Sequence, residues 1–202
     1  MDKIQKRIPD GFFSEEFESP RLRVRPYDEN LDIVRISEMF ADLLIYTQLG
    51  FCSPAMSEEK IRLSKCDRNE NRFSGDWTIF TNDEGGDFVG EVGISYIDFE
   101  NETAGIFETI GSKHSGKAYG REASSILIGH IFDNLSIRRI RVEALSSNER
   151  AVSLAVSLGF QLSGMLYLPG NPITGFRGGN GIILDLARSD FKPFSVDLRN
   201  RK

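Results

Sequence analysis

Apolar and polar positions alternate in RLRVRPY: Leu22 and Val24 point one way, and Arg21, Arg23 and Arg25 the other. A period of two is that of a strand with one buried face, and Pro26 ends it. Over residues 30–46 the spacing becomes helical, through Leu31, Val34, Met39 and Leu43. Residues 60–68 predict a second helix with Ser57 as N-cap; Lys60 takes the third helical position, so there is no capping box. Strands are expected at 76–81 and 88–97, joined by the turn NDEGGD, and another at 103–110. A helix then runs to about residue 135. IRRIRVEAL is a strand with Ile140, Val142 and Ala144 on one face and Arg141, Glu143 and Leu145 on the other. NERAVSLAVSLGF is a helix stopped by Gly159, and residues 161–168 and 181–187 close the chain as strands.

The order β-α-α-β-β-β-α-β-α-β-β contains no repeat, low-complexity tract or linker. It predicts one α/β domain, a mixed sheet with helices on both sides. The domain spans residues 20–190. An arm, 1–19, docks on it through Phe12, Phe13 and Phe17, and a tail, 191–202, follows.

Composition narrows the function. A net charge of −5 argues against a dedicated nucleic-acid partner, which would usually meet a basic surface. Two cysteines, Cys52 and Cys66, make no disulfide framework and predict a reducing compartment. The start, MDKIQKRIPDGFF, has no apolar signal core, and no run is long enough to span a bilayer. A cytoplasmic protein with no membrane partner is expected. Two histidines and two distant cysteines give no metal-ligand spacing, so no metal is expected.

The stretch SGKAYGREA, from Ser115, places Gly116, Ala118 and Gly120 where a helix begins, with Lys117 and Arg121 beside them. A helix start leaves backbone N–H groups unpaired under positive partial charge. Small residues there admit an anion such as a pyrophosphate. The other reading is a helix cap with a solvated basic edge. The turn is neither a P-loop nor G-x-G-x-x-G.

About thirty residues on, SSNERAVSLAVSLGF follows the strand IRVEAL. Together the two segments resemble the GNAT acetyltransferase superfamily, and within it the RimJ/RimL/RimI-like ribosomal-protein N-terminal acetyltransferases. LGFQLSGML and GIILDLARSDF add to the likeness, which runs from RLRVRPY to the last strand. The resemblance implies a mostly antiparallel sheet with a V-shaped splay between two strands, and acetyl-CoA as co-substrate. Its pyrophosphate turn, Q/R-x-x-G-x-G/A, maps to Ser115, Gly116, Lys117, Ala118, Tyr119 and Gly120, with Arg121 adding charge. Ser115 replaces Gln or Arg, and Ala118 replaces Gly. The strand that pairs with the pantetheine amides maps to Glu108, Thr109 and Ile110, and the cofactor-side asparagine to Asn148.

The same likeness implies acetyl transfer to a primary amine, on a protein N-terminus or a small molecule, by direct attack in a ternary complex. A homodimer is compatible with it. Glu143, five residues before Asn148, stands at the position of the general base, and Glu108 is a second carboxylate near the acetyl group. Either is otherwise an ordinary strand carboxylate paired to Arg141 or Lys113. The family's Ser or Tyr acid falls on Ala151 and Ala155 here. Ser153 and Ser157 are out of register, which leaves water or Tyr167. An oxyanion would meet a strand N–H near Thr109 or Ile110. His114 reads as an exposed loop residue and His130 as core edge. Phe73, Trp77 and Phe80 read as core or as an aromatic of the acceptor pocket. LPGNPITGFRGGNG reads as a hairpin connection over that pocket. A CoA-binding module without turnover and a cofactor-free α/β domain are the rival readings.

Overall fold

A computed structural model describes residues 8–50, 57–70, 73–171 and 176–194. Cys52 and the side chain of Cys66 lie outside what is described, as do residues 172–175 of the long loop. Eight strands form one sheet in the order β1-β2-β3-β4-β5-β6-β8-β7. In the chain they are β1 (Phe17–Glu18), β2 (Leu22–Pro26), β3 (Gly75–Thr81), β4 (Phe88–Asp98), β5 (Thr103–Ile110), β6 (Arg139–Leu145), β7 (Gln161–Leu168) and β8 (Gly179–Ala187). The helices are α1 (Glu29–Ala41), α2 (Leu43–Gln48), α3 (Glu58–Glu70), α4 (Tyr119–Asn134) and α5 (Glu149–Ser157). Among the described residues, no helix is long and apolar enough to cross a membrane.

The expected helix over 30–46 is two helices. Asp42 leaves helical geometry at ψ 120° and its carboxylate accepts from the Leu44 N–H, so it closes α1 and caps α2. Ser57 caps α3 as expected, its hydroxyl accepting from the Lys60 N–H. The arm supplies β1, and Phe12 is buried with Phe13 and Phe17 packed beside it. His130 stacks on Phe12 at 4.2 Å and hydrogen-bonds its carbonyl.

Two cores follow from the alternation along the strands. One sheet face carries Leu22, Val24, Trp77, Ile79, Val92 and Ile94 against Leu127, Ile128 and Ile131 of α4. Each such side chain, taken out of water, contributes about 1.5–3 kcal/mol. The opposite face is covered by α1–α3 through Ile33, Ile36, Met39, Phe40, Ile45 and Ile61. That face also buries charge. Lys65 Nζ lies 2.9 Å from both Asp76 and Glu91, and Arg25 forks onto Asp32 at 2.6 and 2.8 Å.

The feature that positions the site is a parting of strands. β5 and β6 pair in parallel only from Thr103/Arg139 to Gly105/Arg141. Beyond that, β5 stays with β4 as far as Ile110, and β6 stays with β8 as far as Leu145. The last paired residue, Gly105, faces Tyr96, where β4 carries a bulge between Ile94 and Tyr96. A bulge raises local twist, which turns β5 away from β6 at this point.

Candidate active site

The V between β5 and β6 opens into a cavity of about 680 Å³. Glu108, Thr109, Ile110, Ser115, Gly116, Ala118, Tyr119, Gly120, Arg121, Glu143 and Asn148 all line it. Lys117 does not. It is exposed, and its carbonyl accepts from Arg21 at 3.0 Å.

Backbone alternation decides which groups of β5 face the opening. The Gly111 N–H donates to Val89 of β4, and a Cβ on Gly90 would overlap the Thr109 carbonyl oxygen. Thr109 therefore turns its backbone to β4. Glu108 and Ile110 turn theirs toward the V, where β6 has left them without a strand partner. Their side chains lie on the α4 face: the Glu108 Cγ and Ile110 Cγ1 would stand 3.8 and 3.1 Å from a Cβ on Gly120. Gly120 is thus needed for packing of the helix start on β5, as well as for openness.

The turn before α4 is built for backbone donors. Gly116 has φ 75° with open space around it, and Ala118 has φ 60° as the N-cap. Among the described residues, the N–H groups of Gly116 and of Ala118 through Arg121 meet no backbone carbonyl. The first helical bond is donated by Glu122 to Ala118, at 3.1 Å. The helix is long enough for its dipole to add to those donors. The residues present fit a pyrophosphate.

Sequence reasoning missed what holds this turn. Arg21, on the lead into β2, donates from Nε to Glu122 at 2.7 Å, pairs a second nitrogen with the same carboxylate and reaches the Lys117 carbonyl. Its guanidinium also lies 4.9 Å over the Tyr119 ring. Ser19 donates to the other Glu122 oxygen at 2.6 Å. Glu122, one turn into α4 and 2% exposed, is therefore an anchor. Only the fold brings residue 21 within reach of residue 122.

Several expectations need correcting. His114 is 3% exposed, not a loop histidine. It lines the cavity, neither ring nitrogen has a partner among the described residues, and burial with Lys113 and Lys117 nearby lowers its pKa. Tyr167 is 68% exposed and outside the cavity, because it lies on an edge strand and points away from it. Ser153 and Ser157 do line the cavity, with Ala151 between them and Asn148. Trp77 is fully buried and donates to the Glu15 carbonyl. Neither it nor Phe73 or Phe80 reaches the cavity. The aromatics that do are Phe40, Phe107 and Phe176, with Tyr119 at the turn.

The two carboxylates sit on opposite faces. Glu108 is on the α4 face, partly enclosed, and the loss of water raises its pKa to about 7. Glu143 is on the α1–α2 face, since it shares the side of Arg141, which aligns with Gly105. It is exposed and makes no salt bridge among the described residues. The expected partner, Arg141, is instead held by Asp185 at 2.8 and 2.9 Å. Asn148 caps α5, accepting from the Ala151 N–H at 3.3 Å, and faces the cavity at the same time. Among the described residues, no group of three His, Cys, Asp or Glu is placed to hold a metal ion.

The model of the GNAT acetyltransferase domain matches residues 21–161, most of the chain. The chain belongs to the GNAT acetyltransferase family. Solved structures share its fold at low identity. The RimL ribosomal L7/L12 alpha-N-protein acetyltransferase in complex with coenzyme A is 16% identical with a TM-score of 0.71, over 86% of this chain and 98% of that one. The ribosomal-protein-S5-alanine acetyltransferase of Vibrio fischeri is 19% identical, TM-score 0.68, over 89% and 100%. The spermidine N-acetyltransferase of Vibrio cholerae, bound to CoA and spermine, is 18% identical, TM-score 0.67, over 85% and 98%. No curated protein matches the sequence. In this GNAT chain the V, the turn and α5 meet at one cavity, in the fold those structures share.

Proposed function

We propose that this GNAT acetyltransferase transfers acetyl from acetyl-CoA to a primary amine by direct attack in a ternary complex. The observation that carries the reading is the continuity of one cavity from the donor-rich turn at α4 to the parted edge of β5 and the exposed Glu143. The N–H groups of Gly116 and of Ala118 through Arg121 would hold the pyrophosphate. The free backbone of Glu108 and Ile110 would pair with the pantetheine arm. Acetyl-CoA, when bound, supplies the thioester. The Ile110 N–H, facing the V, suits developing charge on a carbonyl oxygen.

Glu143 takes a proton of the acceptor amine, because it faces the side away from α4 and α5 and, among the described residues, is not tied in an ion pair. Glu108, on the cofactor side, is divided between protonated and ionised forms near neutrality. Its side chain lies beside Gly120, where its charge would bear on the phosphates of the bound donor. The neighbours in fold acetylate protein or polyamine acceptors by their names, which supports an amine acceptor here.

Two measurements test the reading. Excess acetyl-CoA should raise the melting temperature, since a ligand bound only by the folded state stabilises it. Thiol release in the presence of amines should then be lost, by roughly 100-fold, in Glu143→Gln, as removal of a general base predicts. Full activity in Glu143→Gln would remove the base assignment. No melting shift would remove the function. A melting shift with no turnover on any amine would favour a CoA-binding module.

A further inference from the structure

The acceptor half of the cavity has a composition of its own. On the α1–α2 side its walls are Phe40, Ile45, Leu49, Leu145, Leu168 and Phe176. They are held closely: a Cβ on Gly50 would collide with Leu145 and Phe176, and Gly50 accepts a hydrogen bond from the Arg177 N–H at 2.9 Å. Among the described residues, three carboxylates line the cavity: Glu91, Glu108 and Glu143. Glu108 lies on the other face, toward α4. Glu91 is 3% exposed and held by Lys65, which it shares with Asp76 at 7% exposure, so their charge sits behind the wall. Glu143 is left as the one exposed carboxylate of this half among the described residues. Arg150 also lines the cavity and donates to Gln48 at 3.2 Å, placing positive charge where α2 meets α5.

A chamber with one exposed anion, apolar walls and a cation nearby fits one ammonium and an apolar body. A second ammonium would lose its water against Leu, Ile and Phe without a partner, which disfavours it. We propose, resting on the acetyl-transfer reading above, that the acceptor is a monocationic primary amine carried beside a bulky apolar group, and not a polyamine. Glu143 first takes one proton from the ammonium; the new N–C bond then forms as the thioester C–S bond breaks, and the second proton lost by nitrogen balances the one gained by sulfur, which leaves as the CoA thiol. Two sources share this chemistry, a small aryl or alkyl amine and a peptide whose first residue is apolar.

The test is thiol release at saturating acetyl-CoA with the whole protein. The amines are phenethylamine, peptides identical except for Leu, Ser or Asp at the free N-terminus, and spermidine. The Leu peptide or phenethylamine should exceed the Ser peptide and spermidine at least tenfold in kcat/KM. Which of the two is turned over better identifies the source. Phe176→Asp should narrow the gap between apolar amine and spermidine several-fold while acetyl-CoA still raises the melting temperature. Spermidine or the Asp peptide used as well as the apolar amines would overturn this inference and leave acetyl transfer standing. No amine acetylated, despite a melting shift, would overturn both.

Discussion

At the scale of single residues, Ala118 and Glu108 carry the most information. Ala118 has φ 60°, a left-handed geometry that costs a residue with a Cβ about 1–2 kcal/mol. The family pattern has Gly there. Ala118→Gly should therefore leave stability unchanged or raise it by about 0.5 kcal/mol, after allowing for the looser unfolded chain. Ala118→Val should lower it by more than about 1 kcal/mol. Chemical denaturation of the three proteins checks this. Glu108 has a raised pKa, so it is neutral below about 7 and ionised above. Its side chain lies beside Gly120 in the turn proposed to hold the pyrophosphate, and an ionised carboxylate there would repel an anionic ligand. The Kd for acetyl-CoA should rise as pH is taken through 7, and Glu108→Gln should flatten the curve in titration calorimetry. A pH-independent Kd in the unmodified protein would place the phosphates away from Glu108.

At the scale of elements, the unit that matters is the start of α4 and its tie to β2. Arg21 is a positioning residue that holds both the first turn of the helix, through Glu122, and the preceding loop, through the Lys117 carbonyl. Arg21→Gln leaves Glu122 buried without its cation and should cost about 3–5 kcal/mol. Arg21→Lys keeps the charge but loses the fork, and should cost less. In both, KM for acetyl-CoA should rise several-fold with kcat for the bound complex nearly unchanged. A purely structural role would lower the melting temperature without moving KM. The turn and the α5 segment were legible in the sequence because glycine, small residues and helix caps act locally. The clamp was not, since its partners are about a hundred positions apart. His114 was misread for the same reason: its exposure depends on what folds over it.

At the scale of the molecule, the two sheet faces divide the labour. The face under α4 and α5 holds the larger apolar core and the turn, and the face under α1–α3 holds the chamber proposed for the acceptor and a buried ionic cluster. Lys65→Met would leave Asp76 and Glu91 buried without their cation. It should destabilise the fold by about 3–5 kcal/mol at neutral pH. Chemical denaturation of the two proteins at neutral pH checks this. By itself the sequence determined seven of the eight strands and most helices, the small-residue turn at the head of α4, and the family likeness. Each rests on local periodicity or on a contiguous motif. Only the tertiary structure decided that α1 and α2 are separate, that Glu108 and Glu143 lie on opposite faces, that Arg21 grips Glu122, and that Phe40 and Phe176 line the cavity. These are relations between distant segments, set by how a twisted sheet parts at a bulge and by what packs over the gap, and no local pattern encodes them.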